Sequence, residues 1–445
     1  MPPDLSMSIA DTCKTSTSAR PVDEAERPSR FHVLKIIGPG VITGAADDDP
    51  SGIGTYSQAG AQLGFGISWT MVVTFPLMVA IQEISARVGR TTGKGIASNI
   101  RQHYPAWLLQ ALVALLFGAN VVNIGADLAA MADGVKLLVG GPGLAYVIVF
   151  GLGCATAQIF IDYETYVRYL KWICLSLFTY IAALAAVKIP WGEALRGLFV
   201  PTIAWNSDYF TTLVAIAGTT ISPYLFFWQA AQEAEEVRVV PERRPLLRGR
   251  WQAPGAFARI RADTALGMAF STLIAVAIII MTAATLHASG VTSIESSSQA
   301  AEALRPIAGR FAFIVFTVGI VGTGLLAVPV LAGSAAYGVA EAAGWPVGLA
   351  REPREAVAFY VTLALAAGIG IGINFTPVNP ISALYWSAVI NGVVAVPIMV
   401  LLMNMTARRG VMGEFTIGTG LKVLGWAATI AMFCAVAGMA VTAVT

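Results

Sequence analysis

The sequence predicts an all-α integral membrane protein of about eleven transmembrane helices, arranged as two five-helix repeats of opposite topology with helices 1 and 6 broken. Three observations carry this expectation. Of the 445 residues, 56% are hydrophobic and 12% are charged, roughly half the charged share of ~25% in an ordinary soluble domain. The apolar residues fall in runs of about 20, the length a helix needs to cross the hydrocarbon core. Two of these runs, five spans apart, are interrupted at mid-length by a proline among polar residues.

Residues 1–35 are polar and contain no apolar h-region, which predicts a disordered cytoplasmic tail and leaves insertion to the first span. The first repeat, 36–187, is expected to hold spans at 36–61, 66–87, 106–138, 144–161 and 165–187. The second, inverted repeat, 209–403, holds spans at 209–233, 263–286, 308–340, 355–373 and 378–403; residues 404–445 supply an additional helix at 420–443. The third and eighth spans are long enough to tilt or to extend past the bilayer.

Orientation follows from Lys and Arg in the connections. With the N-terminus cytoplasmic, 23 of the 28 basic residues fall inside, and only Lys136, Lys188, Arg196, Arg305 and Arg310 fall outside. An even number of spans would move the later basic loops to the wrong side. The arginine-rich loop 238–261 reads as solvated inside-positive charge, with a lipid-binding or regulatory patch as the alternative.

The four cysteines, Cys13, Cys154, Cys174 and Cys434, have no metal-ligand spacing, and His32, His103 and His287 lie near segment ends. No imidazole or thiolate is therefore placed at mid-membrane. The chemistry instead sits at the breaks. The first span carries Asp47, Asp48 and Asp49, then Pro50, Ser51 and Gly52. Each acid costs about 2.5–3.5 kcal/mol at a helix centre, a cost tolerated where it lines a polar cavity. Pro50 removes a backbone donor and clashes with the preceding turn, so the helix should unwind here and free carbonyls beside a carboxylate. Pro223 breaks the sixth span in the same way, and such a pair points to a midplane site between two inverted repeats.

Three further polar groups stand near the breaks. Gln229, Gln232, Glu233, Glu235 and Glu236 cluster towards the cytoplasmic end of the sixth span, either as a polar helix end or as an ion exit path. Asn120, Asn123 and Asp127 share one face of the third span, as a hydrated cavity wall or as interhelical hydrogen-bonding groups. Asn391 in the tenth span is a polar neighbour of the site or a helix-packing amide. Around both breaks the donors are oxygen only, which suits Mg²⁺, Ca²⁺ or Mn²⁺ over softer metals. The small residues Ser51, Gly52 and Ser222 leave room for the waters Mg²⁺ retains.

From Gly38 to Phe415 the chain resembles the natural resistance-associated macrophage protein (Nramp) family of divalent-metal transporters. The resemblance rests on GPG at 38–40, the Asp49-Pro50 pair, QEISARVGRTTGKG at 82–95, the Ala126-Asp127 of the third span, GTTISP at 218–223 and MGEF at 412–415. It implies a LeuT-type fold of 5+5 inverted repeats. The family's Asp-Pro-Gly-Asn stands here as Asp49-Pro50-Ser51-Gly52, and its Met-Pro-His as Ser222-Pro223-Tyr224. The glutamate that follows the third-span aspartate by three residues is replaced by Ala130. These departures resemble the branch of Nramp-related magnesium transporters, thought to carry a partly hydrated ion without proton coupling.

By that resemblance the ion touches Asp49, the backbone near Ala46 and Thr219, and Ser222. Gly52 widens the pocket, Asp48 serves as an outer-sphere acceptor, and Tyr224 lines the pocket or packs against the first helix. The expected function is import of Mg²⁺, and also Mn²⁺, across the cytoplasmic membrane by alternating access. The alternatives are a proton-coupled Mn²⁺/Fe²⁺ symporter and a non-transporting metal sensor. No nucleotide-binding loop appears, and nothing points to an enzyme, a cofactor, nucleic acid or an obligate protein partner. The metal ion as substrate and the lipid bilayer are the partners expected.

Overall fold

The computed structural model describes residues 43, 44, 46–161, 177–305, 309–377 and 379–444, and its regular elements among them are all helical. The tail expected at 1–35 and the first part of the fifth span lie outside the described residues. Helical residues 43, 44, 46 and 47 precede the first break, and the span resumes as α1 (Pro50–Leu63). α2 (Trp69–Thr92) is followed by a short α3 (Ile96–His103), the long α4 (Ala106–Val139) and α5 (Gly143–Phe160). The described part of the fifth span is α6 (Phe178–Ala186), and α7 (Trp191–Phe199) leads into the second half. There the sixth span is split into α8 (Ser207–Thr220) and α9 (Pro223–Val239). α10 (Ala253–Thr285), the short α11 (Ser297–Glu302), α12 (Ala312–Ala343), α13 (Val357–Ile373) and α14 (Pro380–Ala407) follow. A single turn, α15 (Arg409–Met412), then precedes α16 (Thr419–Thr442).

Among the described residues, eight helices are long and apolar enough to cross a membrane, the split α8–α9 counting as one, and α13 is a shorter apolar helix of 17 residues. With α1 and the described part of the fifth span, these match the eleven expected positions. Two expectations need correction. The seventh helix begins at Ala253, ten residues before the expected 263, because 253–262 continues the helix beyond the apolar run. The basic stretch 238–261 is likewise not simply a solvated loop. Leu246 and Leu247 donate to the carbonyls of Arg90 and Thr91 at 3.3 and 3.2 Å, and Arg90 Nη2 donates to Gln252 Oε1 at 2.8 Å. The segment thus satisfies carbonyls left open at the C-terminus of α2.

Helix packing follows from small residues, which let backbones close up where lipid supplies no hydrophobic force between helices. α4 runs through the bundle against α12, α13 and α14; α9 lies on α2, α8 on α14, and α10 on α1. A Cβ at Gly89 would overlap the Ala230 carbonyl, one at Gly218 the Ala388 carbonyl, and one at Gly60 the Ile279 carbonyl. These glycines bring both halves of the broken sixth span, and α1, to backbone contact with their neighbours. The start of α9, Tyr224-Leu225-Phe226-Phe227-Trp228, is buried on every side.

Candidate metal site

At the first break the chain leaves the helix at Asp48, and Asp49 takes an extended conformation (ψ 170°) as the N-cap of α1. Its Oδ1 accepts from Gly52 N–H at 2.6 Å, and Pro50 occupies the first helical position, where a missing N–H costs nothing. The proline that ends one helix therefore begins the next. The second break is built differently. Ser222 precedes Pro223, yet its hydroxyl turns back to donate to the carbonyls of Gly218 and Thr219 at 2.6 and 2.8 Å. It completes the C-terminus of α8 and does not cap α9.

The two breaks meet. The Tyr224 hydroxyl, in the first turn of α9, donates to the freed Ala46 carbonyl at 3.0 Å and lies 3.4 Å from Asp49 Oδ2. The Tyr224 hydroxyl thus bonds to the first half-helix and also stands beside the Asp49 carboxylate. A Cβ at Gly52 would stand 3.2 Å from both the Asp47 carbonyl and Thr219 Oγ1, so the absent side chain keeps the space between the breaks open. The carbonyls of Ala46 and Asp47 at the end of the first half-helix stand at this space, and helix C-termini carry partial negative charge.

The three consecutive aspartates diverge. Asp49 Oδ2 accepts from Asn123 Nδ2 of α4 at 3.2 Å, whereas Asp47 and Asp48 accept from Ser271 of α10, at 2.5 and 3.1 Å. Asn123 also donates to Asp127 Oδ2 at 3.1 Å, and its own carbonyl accepts from Asn391 Nδ2 at 2.8 Å. Asn391, Asn123, Asp127 and Asp49 thus form one chain of polar contacts from α14 through α4 to the first break. Asn120 stands apart and donates to the Leu331 carbonyl at 3.0 Å.

All four aspartates are at most 1% exposed, and among the described residues none forms an ion pair with Lys, Arg or His. Asp47 Oδ1, Asp48 Oδ2 and Asp127 Oδ1 are buried without a hydrogen-bond partner among the described residues. Buried carboxylates left like this are costly unless a cation or proton compensates. No group of three or more His, Cys, Asp or Glu converges to hold a metal among the described residues. A cation between the breaks would accordingly draw on one carboxylate, Asp49, with carbonyl and hydroxyl oxygens for the rest.

The polar groups further along α9 are engaged elsewhere. Gln229 accepts from the Thr43 hydroxyl, which ties α9 to the first half-helix. Glu233 is fully buried and takes Arg259 Nη2 of α10 at 2.8 and 2.6 Å. Glu235 accepts from the Tyr337 hydroxyl and from Ala350 N–H, and Glu236 pairs with Arg243. Gln232 keeps a buried amide nitrogen without a partner among the described residues. Sequence reasoning missed Thr43, Ser271 and Arg259. A lone Ser or Thr in an apolar helix carries no signal apart from one bonding to its own preceding turn, and Arg259 had been read with a solvated loop.

The comparisons with known proteins follow this geometry. The profile of the Natural resistance-associated macrophage protein-like family matches residues 40–442. A divalent metal cation transporter, MntH, of Aeromonas hydrophila subsp. hydrophila is 26% identical over 405 residues, covering 87% of this chain and 91% of that one. MntH of Yersinia enterocolitica is 28% identical over 316 residues, 69% of this chain and 73% of the relative. Among solved structures, a manganese transporter of Eremococcus coleocola superposes with a TM-score of 0.67 at 17% identity, covering 92% of this chain and 87% of that one. A nucleobase-cation-symport-1 family transporter superposes with a TM-score of 0.53 at 13% identity, over 92% and 93% of the two chains. The fold is therefore the LeuT type, all-α and multi-pass, with helices 1 and 6 broken, and the relatives are transporters and not enzymes. With its profile matched across nearly the whole length and its two half-helix ends meeting at Asp49, the chain belongs to the Nramp family.

Proposed function

We propose that this protein imports divalent metal ions, Mg²⁺ foremost and Mn²⁺ as well, by alternating access around the space between the two helix breaks. The observation that carries this reading is that Asp49 stands beside the Ala46 carbonyl and the Tyr224 hydroxyl, with the Thr219 hydroxyl across the gap at Gly52, oxygen groups without sulfur or imidazole among them. The backbone near Thr219 and the Ser222 hydroxyl, which bonds there to Gly218 and Thr219, would complete the ligands. Hard oxygen donors with a single charge suit an ion that keeps several waters. Gly52 supplies the width, and Asp48 acts through water because its carboxylate is turned to Ser271. Asp127 and Asn391 hold the wall of the site through Asn123. Gln229, Gln232 and Glu233 line the route inward once the Glu233–Arg259 pair opens.

The repeats are 36–187 and 209–403, with 404–445 as an added helix, and the N-terminus is cytoplasmic in the cell membrane, as the basic loops support. Two charges falling through 100 mV release about 4.6 kcal/mol, enough to drive uptake with no coupled proton. Ala130 supports uncoupled transport, since a helical position one turn from Asp127 has no second proton-carrying group. The test is ion influx into proteoliposomes at fixed potential with internal pH monitored. Mg²⁺ flux without acidification, lost in Asp49→Ala, is expected. Flux of Mn²⁺ alone with acidification would replace this reading with proton-coupled symport, and saturable binding without flux would replace it with a sensor.

A further inference from the structure

Away from the helix breaks, a groove of about 870 Å³ runs between α4, α12 and α13, with Arg101 of α3 at its mouth. Its floor is a stripe on α4 at i, i+3 and i+4 spacing, from Ala106 through Gln110 and Ala114 to Gly118. At ~1.5 Å per residue those twelve steps span roughly 18 Å, close to the ~15 Å of one leaflet of hydrocarbon core. The far end is open: a Cβ at Gly118 would meet nothing within 4 Å. The mouth has the marks of a membrane interface: Trp345 of its lining is exposed by 45%, and Trp107, next in sequence to Ala106, by 69%.

The Arg101 guanidinium is uncompensated. It packs against Gly344, the left-handed C-cap of α12 (φ 78°), where any Cβ would overlap it. Among the described residues Arg101 makes no ion pair and no hydrogen bond, whereas both arginines of the preceding α2, Arg87 and Arg90, have partners. Glu341, one turn from Gly344, is buried and occupied by Ser98 N–H at 3.0 Å. An unpaired cation above a groove one leaflet deep suits an anion attached to a hydrocarbon chain.

We propose that this groove binds an anionic glycerophospholipid of the cytoplasmic leaflet, its phosphate on Arg101 and one acyl chain along the α4 stripe to Gly118. The leaflet assignment rests on the orientation given above; the lipid site itself does not depend on the transported ion. The test is native mass spectrometry of the full-length protein, released from detergent after equilibration with equimolar phosphatidylglycerol and phosphatidylcholine. Wild type should retain phosphatidylglycerol about fivefold over phosphatidylcholine, the effect of one arginine on an anionic headgroup. Arg101→Gln should remove that preference and Arg101→Lys restore most of it. Gly118→Leu, which fills open space and leaves the bundle intact, should lower retention of both lipids. Equal retention of the two lipids by wild type, or an undiminished preference in Arg101→Gln, would overturn the proposal, and neither result bears on metal flux.

Discussion

Replacing Asp49 by asparagine separates the charge of this side chain from its structural work. Structurally, Asp49 caps α1 through Gly52 N–H and accepts from Asn123 and, at longer range, Tyr224. Asparagine is as good an N-cap as aspartate, whereas alanine forfeits ~1 kcal/mol. Loss of the acceptor towards Asn123 costs about 1 kcal/mol, which removal of a buried charge worth ~2.5–3.5 kcal/mol in the membrane offsets. Asp49→Asn should therefore fold, with thermal stability in detergent close to wild type, and Asp49→Ala should be slightly less stable. Function responds to the charge. At an effective dielectric of ~20, two unit charges at 4 Å attract by about 4 kcal/mol, so a divalent ion loses up to about 8 kcal/mol. At ~1.4 kcal/mol per decade this is a loss of up to about five decades. Mg²⁺ and Mn²⁺ influx into proteoliposomes, measured with a metal-sensitive dye, should then be undetectable. A folded Asp49→Asn variant that transports within tenfold of wild type would refute the argument that this carboxylate holds the ion.

Other substitutions probe the same frame. Tyr224→Phe removes the hydroxyl shared by Ala46 and Asp49 and should weaken apparent metal affinity by roughly tenfold, about 1.4 kcal/mol; an unchanged concentration dependence of flux would count against its place in the pocket. Ser222→Met offers a soft ligand at the second break, and competition assays should show selectivity moving from Mg²⁺ to Mn²⁺. Arg259→Met leaves Glu233 buried and unpaired, with ~3–5 kcal/mol lost. Adding Glu233→Gln should recover most of the melting temperature, and no recovery would mean the pair is not the cause. Gly89→Ala forces α2 off α9 at the Ala230 carbonyl and should destabilise by ~1–3 kcal/mol, whereas alanine at Gly118 should be silent.

The spans and both breaks were legible in the sequence because each depends on local chemistry, whereas the preference for Asp49 over Asp47 and Asp48 came from the family resemblance. A run of apolar residues has one low-energy place in a bilayer, and a proline beside an acid within it disturbs backbone hydrogen bonding wherever the helix packs. Hard-ligand chemistry was legible too, since the absence of sulfur and imidazole near the breaks is a matter of composition. Boundaries fared less well where a helix left the membrane. Residues 253–262 carry Arg259 and Arg261 beside Pro254 and Gly255, and nothing local separates a charged helical extension from a solvated loop.

The tertiary structure alone decided where the polar side chains point. Three adjacent aspartates differ by 100° of rotation or by an unwound turn, and the sequence assigned them no separate partners; packing sends Asp49 to Asn123 and sends Asp47 and Asp48 to Ser271. Ser222 stands at the second break beside Pro223, yet its hydroxyl completes α8 through the Gly218 and Thr219 carbonyls and leaves α9 without a side-chain cap. Glu233 reads as a candidate ligand until Arg259, 26 residues away, is found against it. Backbone conformation in a membrane is set by the local demand that every peptide group be satisfied. Side-chain partnerships are set by which helices lie side by side, and glycines such as Gly89 and Gly218 control that over distances no local pattern records.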